Sequence, residues 1–287
     1  MSANGKNGAS GLHPGVQIDL LANVDRKDLS PVVKKLAEIR ADEWDVLKPE
    51  YWFYRSVHPK DRAGRYKESE YDIRCRLEAF RGGQVIAVFE DPKEGLRPIG
   101  MISAIRRNRI FGDWNEEVTH FGTYRSHESD GRIFGCCEIT MNRKEDEKIR
   151  AGVPKAMINR EIEIYRQLKE KGEVSAAVAK TRPYGIVKHM QREMNNEEIK
   201  KILKDRENLE PFMEYISRHI KPGEDGRIKN PVLNMHYSNG ATYPEWGIEY
   251  GTRCFDRESG GMTMLAVYDG EGFLEPMAPA LLRQMRE

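Results

Sequence analysis

One carboxylate, Glu138, stands in the middle of an apolar run, FGCCEITM (134–141). A charged turn ending Ala151-Gly152-Val153-Pro154-Lys155 follows it. A carboxylate inside such a strand is costly to bury unless it is paired or faces a cleft, which makes Glu138 a candidate general base. The turn offers different chemistry. An apolar strand that feeds a helix through a Gly-containing turn presents the unpaired N–H groups and positive dipole end of that helix, and these suit a phosphate or diphosphate. The residues so placed are Arg150, Ala151, Gly152, Val153, Lys155 and Ala156, while Pro154 removes one donor. His127, in a long polar loop (107–133), has the ordinary pKa of a neutral-pH acid–base group. This grouping implies a phosphate-bearing cofactor, and so chemistry rather than scaffolding.

The elements that must hold these residues can be read from periodicity. Val16–Leu21 reads as a strand and Asp25–Ile39 as a helix, with Leu29, Val32, Val33, Leu36 and Ile39 at helical spacing. Tyr71–Phe80 reads as a second helix, stopped by Gly82-Gly83. Gln84–Glu90 and Ile99–Ile105 form an antiparallel hairpin around DPKEGLRP, and Phe134–Met141 is the next strand. The following helix carries Val153, Met157, Ile158, Ile162, Ile164, Tyr165 and Leu168, and it ends at Gly172. Val174–Ala179 is small and apolar, as a buried central strand should be. Tyr184–Met194 is a short helix, and Pro231–Tyr237 and Met262–Tyr268 are the last strands. The order β-α-α-β-β-β-α-β-α-β-β predicts an α/β (α+β) fold: a mixed, mostly antiparallel central sheet with helices on both faces. Residues 1–14 read as a flexible tail, 15–270 as a single domain with a charged helical insertion near 195–229, and 271–287 as a C-terminal tail.

Composition removes several classes. With 47 Lys+Arg against 46 Asp+Glu, the formal charge is +1, which gives no general reason to bind nucleic acid or an anionic membrane. No apolar run is long enough to span a bilayer, and the Gly- and Ser-rich N-terminus lacks a signal-peptide core, so a cytoplasmic protein is expected. Cys75, Cys136, Cys137 and Cys254 make no C-x-x-C motif; Cys136 and Cys137 are expected to be packing residues. The histidines show no metal-ligand spacing.

The pieces ITMNRKEDEKIRAGVPKAMINREIEIYRQL and VSAAVAKTRPYGIVKHM, with the closing segment NPVLNMHYSNGATYPEWGIEYGTRCFDRESGGMTMLAV, resemble the GNAT superfamily of CoA-dependent N-acetyltransferases, in a divergent large-insertion form. The resemblance covers roughly residues 15–270. It implies a strand and following helix that cradle the CoA diphosphate on backbone amides, a neighbouring strand that splays away, and transfer of an acetyl group from acetyl-CoA to the amine of a small molecule or peptide. Gly152 takes the place of the family loop's first Gly and Pro154 its second small position. The basic or Gln position falls on Ile149, with Arg150 one residue off. Lys148, Arg150 and Lys155 are placed to offset the lost donor by charge.

The resemblance further implies a carbonyl-polarising backbone N–H near Ile139 and Met141. It also implies an acid at Tyr184, just past the second central strand, whose phenol pKa lies above that of a thiol. Two alternatives stay open. One is a catalytically silent GNAT-like protein that binds a ligand or partner, suggested by Ile149 and Pro154. The other is a long-chain N-acyl amino acid or acyl-homoserine-lactone-type synthase, suggested by the aromatic segment 44–54. A homodimer is compatible with either.

Overall fold

The computed structural model describes residues 11–45, 62–93, 95–109, 111, 120, 122–183, 186–195, 197–199, 221–250 and 262–278. In chain order the elements begin with strand β1 (Val16–Leu20), helices α1 (Arg26–Asp45) and α2 (Arg62–Ala79), and strands β2 (Gln84–Asp91), β3 (Gly95–Arg107) and β4 (Ile133–Met141). There follow the single turn α3 (Glu147–Arg150), helix α4 (Val153–Glu170), strand β5 (Ala176–Thr181), and helices α5 (Ile186–Glu193) and α6 (Pro231–Tyr237). Strands β6 (Ile248–Tyr250) and β7 (Met262–Asp269) and the short helix α7 (Glu271–Leu274) close the chain. The strand order is β1-β2-β3-β4-β5-β7-β6, a mixed sheet of the expected α/β class. Strands β4 and β5 pair in parallel, whereas β1–β2, β2–β3, β5–β7 and β6–β7 are antiparallel. The chain divides into two compact units, 1–46 with 59–103 and 138–164, and 47–58 with 104–137 and 165–287, where one domain was expected. β3, β4 and α4 each contribute to both.

In the first unit, the helical stripe of α1 buries Val32, Val33, Leu36 and Ala37 with Leu21, with Ile73 of α2, and with Ile86, Val88 and Met101 of the sheet. Each fully buried Leu, Ile or Val side chain contributes about 1.5–3 kcal/mol. Pro98 is tolerated inside β3 because the β2–β3 register shifts at Ala87/Val88, and a bulge needs no donor there. Gly100 lies where β3 meets the end of β4. A Cβ there would stand 2.8 Å from the Thr140 carbonyl and 2.6 Å from the Met141 sulfur. Gly100→Ala is expected to lower unfolding stability by about 1–3 kcal/mol, because main chain as well as a side chain must move. A urea midpoint equal to wild type would contradict so close a crossing.

The second unit is built on Ile133, Ala176, Val178, Leu265 and Val267 with Trp246, Leu274 and Ala278. Two expectations fail here. Pro231–Tyr237 is helix α6, not a strand: the Asn230 side chain accepts from the Val232 and Leu233 N–H groups at 3.1 and 3.2 Å, and Pro231 occupies the first turn. Its buried residues, Leu233 and His236, are three apart, which is helical spacing. The edge strand β6 comes instead from Ile248–Tyr250, inside an expected loop. Residues 271–278 are also not a tail, since Leu274 and Ala278 enter the core.

His236 gives this unit an acid-sensitive point. It is 6 % exposed, and its Nδ1 meets the Tyr268 hydroxyl at 2.6 Å. Burial lowers its pKa from 6.5 to about 4. The neutral ring is the folded form, so its contribution is complete above the unfolded pKa and is lost as pH falls from about 6.5 to about 4. The full effect is about 3 kcal/mol. Melting temperature measured across that window should fall in the wild type and much less in His236→Phe. Parallel profiles would rule the histidine out.

The rest of the expected pattern holds with moved ends: α1 runs on to Asp45, α2 begins at Arg62, and Cys136 and Cys137 are both buried. Most of the aromatic segment (46–61), most of the charged insertion (196, 200–220) and much of the 107–133 loop lie outside the described residues.

Candidate functional site

Glu138 lies on β4 with its side chain 9 % exposed. Arg40 of α1 donates through Nε to Oε1 at 2.7 Å, and Arg76 of α2 donates through Nη2 to Oε2 at 2.7 Å. Arg40 Nη1 also donates to Asp72 at 3.0 Å and to Ser69 at 3.3 Å, and Arg76 Nη1 to Ser103 at 3.3 Å. The Thr140 hydroxyl donates to Glu138 Oε1 at 3.1 Å. Burial alone would raise the Glu138 pKa. The charges of Arg40 and Arg76 and their hydrogen bonds outweigh it and hold the carboxyl far below the usual carboxylate range. This corrects the expectation of a general base. A carboxylate with both oxygens held by guanidinium groups has little affinity for a proton and joins helices to sheet instead. Arg40 follows Leu36 by four residues and Arg76 follows Ile73 by three, so both fall on buried helix faces; that spacing was the signal available in the sequence.

Beyond β4 the chain turns through local caps. Asn142 Oδ1 accepts from the Lys144 N–H at 3.1 Å, and Asp146 Oδ1 from the Lys148 N–H at 2.8 Å, which starts α3. Arg150 spends its Nε on the Glu145 carbonyl at 2.9 Å. Gly152 has φ +75°, and its carbonyl accepts from the Ala156 N–H at 3.0 Å. Among the described residues, the N–H groups of Gly152, Val153 and Lys155 have no acceptor. Pro154 is the second residue of α4, inside the first turn, so its missing N–H breaks no helical bond. Ala151, Gly152, Lys148 and Lys155 are exposed, and Arg150 and Ala156 are half-buried. One approach to Gly152 is occupied: a Cβ there would lie 3.2 Å from the Gly11 carbonyl oxygen.

Ile139 and Met141, on the last stretch of β4, are half-buried. Met141 lines a cavity of about 560 Å³ with residues of α1, Arg97 of β3 and the Asn142–Glu145 turn. Tyr184 lies outside the described residues, between the end of β5 at Thr181 and the start of α5 at Ile186. His127 is fixed differently from the expectation of an acid–base group: its Nδ1 accepts the Arg106 backbone N–H at 3.0 Å. Burial, then the Arg106 charge, lowers its pKa.

No protein-family model matches the chain, and no curated protein does. Solved structures do. The malonyl-CoA decarboxylase from Rhodopseudomonas palustris is similar at TM-score 0.54 and 16% identity over 96% of this chain, and that from Cupriavidus metallidurans at TM-score 0.53 and 14% identity over 92%. This chain corresponds to 61% and 63% of those two proteins, respectively. The loading GNATL domain of CurA from Lyngbya majuscula gives TM-score 0.49 and 17% identity over 90% of this chain and 98% of the domain. The chain shares the fold of these two decarboxylase structures, a mixed α/β sheet with helices.

In this fold the parallel ladder of β4 and β5 runs from Ile133↔Ala176 to Cys136↔Ala179, while β4 continues to Met141. Among the described residues, no helix is long and apolar enough to cross a membrane.

Proposed function

We propose that this protein is a CoA-dependent N-acetyltransferase that moves an acetyl group from acetyl-CoA to the amine of a small molecule or peptide. The observation that supports the reading is the pair of acceptor-free N–H donors on the exposed residues Gly152 and Lys155, where a positive-φ glycine joins α3 to a helix start. These residues suit a diphosphate: Gly152 and Lys155 offer unpaired backbone donors on exposed residues, Lys148 and Lys155 add charge, and Ala151 and Ala156 carry only small side chains. Arg150 adds charge beside them while its Nε stays on the Glu145 carbonyl. A bound CoA thioester supplies an activated acyl carbonyl. The β4 backbone at Ile139–Met141 orients and polarises that carbonyl, and Tyr184 gives a proton to the leaving thiolate. Glu138, held by two arginines, takes no part in the proton step, and the amine's proton leaves to water.

A second reading is decarboxylation of a malonyl-type thioester, favoured by the names of the two similar structures with TM-scores of 0.53 and 0.54. Product analysis separates the two. Acetyl-CoA with a mixture of primary amines should yield acetylated amine and free CoA in equal amounts. Conversion of malonyl-CoA to acetyl-CoA with no amine consumed would replace the first reading by the second, and inertness toward both thioesters would remove both.

A further inference from the structure

The segment that leads into β1 runs along the diphosphate turn. A Cβ placed on Gly152 would lie 3.2 Å from the Gly11 carbonyl oxygen, 3.3 Å from its carbon and 3.7 Å from the Leu12 nitrogen. The oxygen is the nearest of the three, and a trans peptide points its N–H the opposite way, so the segment presents an acceptor to the turn. Gly11 has φ +133°, a backbone that residues with a Cβ rarely adopt. Among the described residues its carbonyl accepts no hydrogen bond, so nothing at Gly11 itself fixes the contact. The hold lies two residues on. His13 Nδ1 accepts the Gly15 N–H at 3.1 Å, and the His13 carbonyl accepts the Val16 N–H at 2.9 Å. The Gly15 carbonyl accepts the Glu90 N–H at 2.9 Å, which ties the segment to β2. The imidazole meets the Phe89 ring edge to face, with centroids 5.3 Å apart. The same ring carries the Arg97 guanidinium at 5.4 Å, and Arg97 pairs with Glu145, whose carbonyl accepts from Arg150 Nε. One ring thus braces both the segment and the turn.

A carbonyl oxygen carries partial negative charge, so beside the positive end of α4 it takes up a place that suits an anion's oxygen. A diphosphate approaching the Gly152 N–H meets it as a like charge. We propose that Gly11–His13 is an autoinhibitory strap: it lays the Gly11 carbonyl against Gly152, and CoA must displace that peptide to reach the amides of the turn. The inhibition rests on the reading of this turn as the diphosphate site, which both thioester activities share. Apparent affinity is then reduced by the fraction of molecules whose strap has let go. One side-chain hydrogen bond and one ring contact hold the strap, each accounting for a factor of a few, so freeing it should tighten binding roughly three- to tenfold.

The test is a calorimetric titration of the full chain, of His13→Ala and of Gly11→Ala, with acetyl-CoA and with inorganic pyrophosphate as the minimal probe. His13→Ala removes the anchor. Gly11→Ala meets no atom within 4 Å but disfavours the backbone that the strap needs. Both variants, checked for an unchanged melting transition, should bind both probes roughly three- to tenfold more tightly than the wild type. A second readout needs no variant: the nuclear Overhauser contact between the Gly152 α-protons and the Leu12 amide should be present in the free wild-type chain and vanish at saturating acetyl-CoA. Wild-type binding as tight as that of both variants, or a contact that persists at saturation, would overturn the strap and keep the diphosphate site. Binding by the variants alone would support both. No binding of either probe by any of the three chains would remove the diphosphate reading and the strap with it.

Discussion

Glu138→Gln is expected to destabilise the protein by about 3–5 kcal/mol, the usual cost of removing one partner from a buried ion pair. For a chain of this size that is a fall in melting temperature on the order of 10 °C. The substitution takes from the Arg76 guanidinium, whose side chain is 0% exposed, the carboxylate that its Nη2 binds, and weakens the grip on Arg40. The pH dependence has a definite sign. The carboxyl's folded pKa is depressed, so its stabilisation is present above the ordinary carboxylate range and is lost as pH falls below it. Glu138→Gln should therefore show a flatter acid limb as well as a lower plateau. A general base would behave otherwise: stability would be kept, turnover would fall, and the basic-group limb of the pH–rate profile would vanish. The paired change Glu138→Met with Arg76→Met should recover part of the lost stability, because it removes the stranded Arg76 charge together with its partner, while Arg40 still donates to Asp72 and Ser69.

Gly152→Val should have the largest effect on cofactor binding. A β-branched residue at φ +75° pays about 1–2 kcal/mol in backbone strain, and its Cβ would start 3.2 Å from the Gly11 carbonyl oxygen. The turn must then rotate, which re-aims the Gly152 N–H and shifts the helix start that carries the Lys155 N–H. Each hydrogen bond to a charged acceptor contributes about 1.5–3 kcal/mol, so CoA affinity should fall by roughly tenfold to a hundredfold for each donor lost. Lys155→Met keeps the turn and removes only a charge, so its smaller loss should shrink further as salt rises. An equal loss from both variants at high salt would mean that the backbone donors are not the grip.

The strands and helices near the sheet were legible because their signals are local. β2, β3, β4, α4 and β5 show the apolar runs and the 3.6-residue stripe in their own residues. Helix α6 was misread although its signal was also local: Asn230-Pro231 is a cap followed by a first-turn proline, and it outweighs the apolar content of PVLNMHY. Glu138 was legible as a group that needs a partner, not as to which one. Arg40 and Arg76 lie 98 and 62 positions away in sequence, and only the packing of α1 and α2 on the sheet brings them to it. The same holds for the cavity, whose walls come from α1, β3 and the turn after β4. The turn into α4 has a short-range logic: Gly152 takes the left-handed backbone and Pro154 stands where no donor is needed, whereas the Asp146 cap that starts α3 was not read.

The most direct measurement is a calorimetric titration of the full chain with acetyl-CoA at low salt, run beside Gly152→Val. A saturable, one-to-one heat in the wild type that is much weakened in the variant is the outcome expected if the amides around Gly152 hold the cofactor's diphosphate. No heat and no thermal shift at millimolar acetyl-CoA, or binding that the valine leaves untouched, would contradict it.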